Sequence, residues 1–158
     1  MTETRTATDT RHRVPYPNSR PRRVALVALG HEGVRLAAAL DRARLPHVDV
    51  IELPRVAPTP DTLLSAIAER SGDLASAFKG ADMIYLVCGP DDDVGFAAPI
   101  AQIAHHRGVL VTGVLIHREA AQSGMDHANL NALRRACDML VIAADDDSLA
   151  AMLAALGT

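Results

Sequence analysis

The sequence predicts an α/β domain: a three-layer, doubly wound, mostly parallel sheet of five strands in the order 2-1-3-4-5, with helices on both faces. Three observations predict it. From Val24 onward, short runs rich in Val, Leu and Ile alternate with longer stretches in which apolar residues recur every three or four positions, the rhythm of strands joined by crossover helices. The runs are short and apolar enough to be covered on both faces, as strands of a parallel sheet are. The length, 158 residues, suits one domain with a full core.

Each element has its own marker. The first strand, 24–29, is followed by a helical pattern over 32–44, which Pro46 stops. Strand 48–53 ends at Pro54, and Pro54, Pro58 and Pro60 make 54–60 an extended connection. Asp61 is placed as the N-cap of helix 61–78, its carboxylate accepting from first-turn amides. Gly80 and Gly108 fall where helices 61–78 and 94–106 should stop, which suits a left-handed C-terminal residue. Strand 83–88 lies between those two helices, and strand 109–116, helix 126–137, strand 139–144 and helix 146–156 complete the series. Parallel crossovers are right-handed, which leaves few topologies and places the first strand inside the sheet. The domain is assigned to 23–158.

Composition narrows the function. Apolar residues make up 49% of the chain, yet it has only two Phe, two Tyr and no Trp, so the core is built from Ala, Val, Leu and Ile. Few rings are left for stacking on nucleic-acid bases. The apolar runs 83–88 and 109–116 fall far short of the roughly 20 residues that cross a bilayer, and the polar start lacks a signal peptide's apolar stretch. A cytoplasmic protein is expected. Cys88 and Cys137 stand in apolar contexts and read as reduced, buried thiols. The start of the chain carries Arg5, Arg11, Arg13, Arg20, Arg22 and Arg23 against Glu3 and Asp9. Residues 1–22, rich in Thr and Arg and holding Pro15, Pro17 and Pro21, read as a disordered basic tail, the one segment suited to nucleic acid.

In a doubly wound sheet ligands bind beyond the carboxyl ends of the strands. There the chain places Gly30-His31-Glu32-Gly33, the loop from Gly89 to Gly95, His117-Arg118-Glu119 and Asp145-Asp146-Asp147. Asp91, Asp92, Asp93, His117, Asp145 and Asp146 are candidate ligands of a divalent metal, Mg²⁺ or Ca²⁺ for carboxylates alone, Zn²⁺ or Mn²⁺ with the histidine. Helix capping accounts for the same aspartates and is the favoured reading. His105-His106 complements a helix carbonyl end. His31-Glu32 lacks a nucleophile partner for general-base work, and Asn129, Asn131, Arg134 and Arg135 are assigned to the solvent face of their helix.

Between Phe78 and Ile116 a family pattern emerges. Lys79-Gly80-Ala81-Asp82-Met83, then Gly95-Phe96-Ala97-Ala98-Pro99-Ile100, then Gly108-Val109-Leu110 stand in the order and spacing of FtsZ, and Cys137 to Ile142 followed by Asp145-Asp146 resembles that family's later strand. The chain resembles the nucleotide-binding, Rossmann-like half of the tubulin/FtsZ family over roughly 23–150. The resemblance implies GTP or GDP as ligand and Gly30, Gly33, Gly89, Gly95 and Glu119 as the residues nearest it. It also implies self-association through the surfaces around the strand ends.

The departures bear on that implication. Where the family has a run of glycines whose amides cradle phosphate, this chain has Pro90-Asp91-Asp92-Asp93. Carboxylates repel a triphosphate, their Cβ atoms crowd the approach that glycine permits, and proline lacks the amide. The family's long central helix and acidic catalytic loop would lie beyond Thr158. The expectation is a non-catalytic, pseudo-GTPase domain that needs no cofactor and acts through self-association or a protein partner. The alternative is weak binding of a nucleotide, small ligand or divalent metal in a rebuilt crevice, with residual GTPase or other enzymatic activity. An ordinary Rossmann-like binding domain with convergent similarity comes third.

Overall fold

The computed structural model describes residues 20–51, 53, 78–117 and 127–157. Most of the basic tail, the proline-rich connection 54–60, the Asp61 cap and nearly all of the predicted helix 61–78 lie outside the described residues, as does Glu119.

Five strands form the sheet: β1 (Val24–Ala28), β2 (Val48–Ile51), β3 (Met83–Cys88), β4 (Leu110–Ile116) and β5 (Met139–Ala143). Their order is β2-β1-β3-β4-β5, as expected, and all four neighbouring pairs are parallel. Leu26 lies between Val50 and Tyr85, and Leu86 pairs with Gly113. Alternate residues of each strand face opposite layers. Ala25, Val27, Ile84, Leu86 and Leu115 pack with Ile100 and Ala104 of α2 (Ala97–His106) and Leu130 and Leu133 of α3 (His127–Ala136). Val24, Leu26, Tyr85, Val87 and Val114 pack on the other side with Leu36 of α1 (Gly30–Ala38) and Leu149 and Leu153 of α4 (Asp146–Leu156). Burying strands on both faces is what made their sequences continuous apolar runs. No helix among the described residues is long and apolar enough to cross a membrane.

Two helices differ from the sequence expectation, each because a short polar side chain captures a backbone amide. The pattern 32–44 becomes α1 over Gly30–Ala38 and then a 3-10 turn over Arg42–Arg44, opened by the Asp41 carboxylate accepting from Ala43 N at 3.1 Å. The pattern 94–106 begins only at Ala97, since the Asp93 carboxylate accepts from Gly95 N at 2.8 Å and holds that stretch in a turn. Such local bonds compete with helix. Pro99 then sits in the first helical turn, where its missing N–H costs nothing. At the other end of α2, Gly108 has a φ of 71°. Gly108 N donates to His105 O at 3.0 Å and Val109 N to Ala104 O at 2.9 Å, the paired closure of a left-handed C-terminus.

At the amino ends of β3 and β5 the same device appears twice. Asp82, just before β3, accepts from Arg23 N at 2.9 Å while its own amide donates to Arg23 O at 2.8 Å. Asp138, just before β5, accepts from Val111 N at 2.8 Å while its amide donates to Val111 O at 2.8 Å. Arg20 also bonds Asp82 at 2.5 Å, and Arg22 N donates to Leu156 O at 2.7 Å. His105, expected to serve the carbonyl end of α2, instead meets Asp138 at 2.8 Å.

Both carboxylates titrate below their ordinary 3.8, Asp82 chiefly through the Arg23 amide and Asp138 through the Val111 amide and then His105. A folded value below the unfolded one stabilises the fold fully above the ordinary value, and that contribution is lost as pH falls through the folded value. The doubly substituted chain Asp82→Asn/Asp138→Asn should therefore be less stable than the wild type at about pH 6 yet lose less on going to about pH 3. Urea unfolding at the two pH values measures this, and equal losses would assign the acid sensitivity to other groups.

Candidate functional site

The loops at the carboxyl ends of β1 and β3 meet over the start of α1. Leu29 leaves β1 with its amide donating to Val87 O at 2.9 Å, and Gly30 then turns the chain with a φ of 67°. That left-handed turn aims the first amides of α1 at the loop after β3. A helix start carries unpaired N–H groups and the positive end of the helix dipole, so this is where an anion is favoured.

The chain supplies that anion itself. The Asp92 carboxylate accepts from Gly33 N at 2.9 Å and Gly89 N at 2.8 Å through Oδ2, and from Glu32 N at 3.1 Å through Oδ1. Asp92 is only 7% exposed. Its amide donates back to Gly89 O at 3.3 Å, closing the turn. Asn129 of α3 holds the loop from the far side, its Nδ2 donating to Asp92 O at 2.7 Å and Pro90 O at 3.2 Å. This corrects the assignment of Asn129 to the solvent face; Asn131, Arg134 and Arg135 are exposed.

Small residues make the arrangement possible. A Cβ on Gly30 would overlap the Asp92 carboxylate, one on Gly33 would overlap the Val87 carbonyl, and one on Gly89 would lie 2.5 Å from Glu32 Cγ. Gly30, Gly33 and Gly89 are thus gathered at one place, whereas Gly95 lies exposed beyond the Asp93 turn. Glu32 reaches to Arg35, which bonds it at 2.5 Å and stands 3.4 Å from Asp146. Those partners, Glu32 first, hold the exposed guanidinium still more firmly protonated than usual. His31 points to solvent.

The remaining acidic candidates have separate tasks. Asp145 caps α4, accepting from Ser148 N at 2.8 Å, and is held below the usual carboxylate range by the Ser148 hydroxyl and amide. Asp91 and Asp93 are exposed, and half-buried His117 donates its amide to Ala143 O at 2.8 Å. Among the described residues no group of three or more His, Cys, Asp or Glu side chains is placed to hold a metal ion. Cys88 lies buried beside this loop, where burial first and Asp92 second push its thiol up to about 12. A shallow depression of about 300 Å³ between α2 and α3, lined by Gln102, His105 and Arg135 among others, shares no residue with the crevice.

Two solved structures of FtsZ from M. jannaschii superpose on the chain. An empty FtsZ dimer gives a TM-score of 0.59 at 17% identity, covering 77% of this chain and 44% of that one. The FtsZ W319Y mutant gives 0.60 at 15% identity, covering 85% and 55%. The fold is FtsZ-like. The chain spans about half the length of the FtsZ structures it matches, and at this identity the likeness is one of fold. No protein-family model matches the chain, and no curated protein matches it in sequence. Within the FtsZ-like frame, the turn from Lys79 to Asp82 feeds β3, and the stretch from Gly95 to Ile100 leads into α2 on the sheet, in the order the sequence resemblance implied.

Proposed function

We propose that the chain is a non-catalytic domain of FtsZ-like fold that acts by binding protein, either a second copy of itself or another chain. The observation that carries this reading is the Asp92 carboxylate on the amides of Glu32, Gly33 and Gly89. Those donors stand at the carboxyl ends of the strands, where a doubly wound sheet receives its ligand, and each already has an acceptor. Asp91 and Asp93 add exposed negative charge beside them, which disfavours a triphosphate. Self-association is favoured over other binding because one of the FtsZ structures sharing the fold is a dimer.

Thermal unfolding with GTP, GDP, Mg²⁺, Ca²⁺ or Zn²⁺ tests the reading, since a ligand at 100 times its dissociation constant adds about 2.7 kcal/mol. No shift is expected with any of them, and no phosphate release from GTP. Sedimentation velocity over a range of protein concentrations should show mass rising with concentration. A GTP-specific shift accompanied by phosphate release would replace this reading with a GTPase. A shift with metal alone would turn attention to the aspartates at the strand ends.

A further inference from the structure

We infer that the open edge of β5 is the surface through which two copies of the chain join, antiparallel about a two-fold axis, so that their sheets run on as one. The inference deepens the reading above and rests on it, in that the chain acts by binding protein. It names the partner as a second copy and the surface as this edge.

The two ends of the sheet are built differently. A strand at a sheet edge presents main-chain groups that can pair with another strand, and edges that stay single are blunted by a charge, a proline or a bulge. The β2 edge carries such a charge in exposed Asp49, which pairs with Arg23 at 2.8 Å. The β5 edge reads Met-Leu-Val-Ile-Ala, with no charge, proline or glycine, and no described strand lies beyond it. Met139 is 58% exposed and Ile142 47%. They lie on opposite faces of the sheet, since side chains alternate along a strand. Exposed Leu110 of β4 extends the apolar surface beside Met139. α4 leaves this side open: it starts after β5, but its last turn lies across the sheet, where His47 Nε2 stands 2.6 Å from Leu153 O and Arg22 N donates to Leu156 O.

Charge selects the partner and its direction. Near the amino end of β5 stands exposed Arg134 of α3. Asn129 and Ala136 of that helix face α2 and the loop before it, and the helical turn then sets Arg134 on the opposite flank, toward the open edge. At the carboxyl end of β5 stand Asp145 and Asp147, both exposed. An antiparallel second copy sets the Arg134 of each chain toward the Asp145 and Asp147 of the other, at both ends of the contact, as a two-fold interface requires. With the axis beside Val141, Leu140 of one copy lies opposite Ile142 of the other, and Met139 lies opposite Ala143, large beside small. Apolar pairs across neighbouring strands are what stabilises their pairing. β5 thus offers itself apolar contacts on both faces and buries no charge within the strand.

Analytical ultracentrifugation of the full chain should show its mass levelling at two copies. Met139→Lys and Ile142→Lys, each checked for folding by circular dichroism, place like charges on the shared edge and should weaken self-association at least about tenfold, or about 1.4 kcal/mol. Val34→Lys, at a comparably exposed apolar position of α1, should not. Arg134→Asp and Asp147→Arg should each weaken the dimer, and the double variant should recover most of the wild-type affinity, a rescue that a folding defect cannot imitate. Should a lysine on β5 unfold the chain, the charge exchange decides alone. Self-association that the β5 variants leave unchanged would overturn the inference while the protein-binding reading stands, and so would single charge variants that weaken it without rescue in the double. A chain that stays single at every concentration would also overturn it, leaving the edge to a strand of another protein. GTP turnover by the wild type would overturn the non-catalytic reading while the charge exchange still decides this one, so the two failures are distinct.

Discussion

Replacing Gly33 by alanine should cost the fold about 3 kcal/mol, the upper part of the range for forcing a methyl group into a filled space. The added carbon would overlap the Val87 carbonyl oxygen, which is backbone of a central strand and already accepts from Leu29 N. Neither side has a rotamer to change, so α1 must move off β3. That movement would also pull the Glu32 and Gly33 amides away from Asp92. Gly108→Ala is the control: its Cβ meets nothing within 4 Å and it suffers only from its φ of 71°, worth about 1 kcal/mol. Urea midpoints compare the two. A Gly33→Ala chain no less stable than Gly108→Ala would mean that the helix and strand are not in the close contact described.

Asp92→Ala should be comparably harmful, at about 3 kcal/mol. Hydrogen bonds to charged groups contribute about 1.5 to 3 kcal/mol each, and three are removed together. The sum is not simple, because one carboxylate makes all three and water can reach some of the freed amides. Asp93→Ala, which gives up one exposed bond to Gly95 N, should stay within about 0.5 kcal/mol of wild type. The pair separates the neighbouring aspartates by unfolding alone. Equal effects would show that the Asp92 bonds do not outweigh an exposed turn, and would remove the structural case for a closed crevice.

The architecture was legible because burial on both sheet faces leaves a coarse, repeated mark: β3 runs over the residues expected for it, and the first strand lies inside the sheet. Capping by Asp145 was legible for the same local reason, since an aspartate before a helix has one near task. The crevice was not. In the sequence Asp91, Asp92 and Asp93 are three equivalent acids, and which one turns inward depends on the dihedrals of the loop and on the left-handed Gly30, neither of which leaves a mark in composition. Gly89 three residues before Asp92 was the available clue, since its amide is one of those the carboxylate accepts from. Asn129 escaped because its partners lie 37 and 39 residues away and its neighbours on α3 are solvated. One helix ended early and another began late beside aspartate side chains that captured amides, Asp41 after α1 and Asp93 before α2, which apolar periodicity does not register.

Cys88 is buried as expected whereas Cys137 is only partly so, yet both sulfurs are subdued, which has a practical side. Burial raises their thiols to about 12 and about 11, helped by Asp92 and Asp138 respectively, so at neutral pH almost none of either sulfur is in the reactive thiolate form. A fluorophore or spin label attached to a single cysteine introduced on an exposed helix position would find the two native sulfurs nearly silent. Distances between copies of the chain, or between it and a partner, could then be followed without first stripping the core of residues that help fill it.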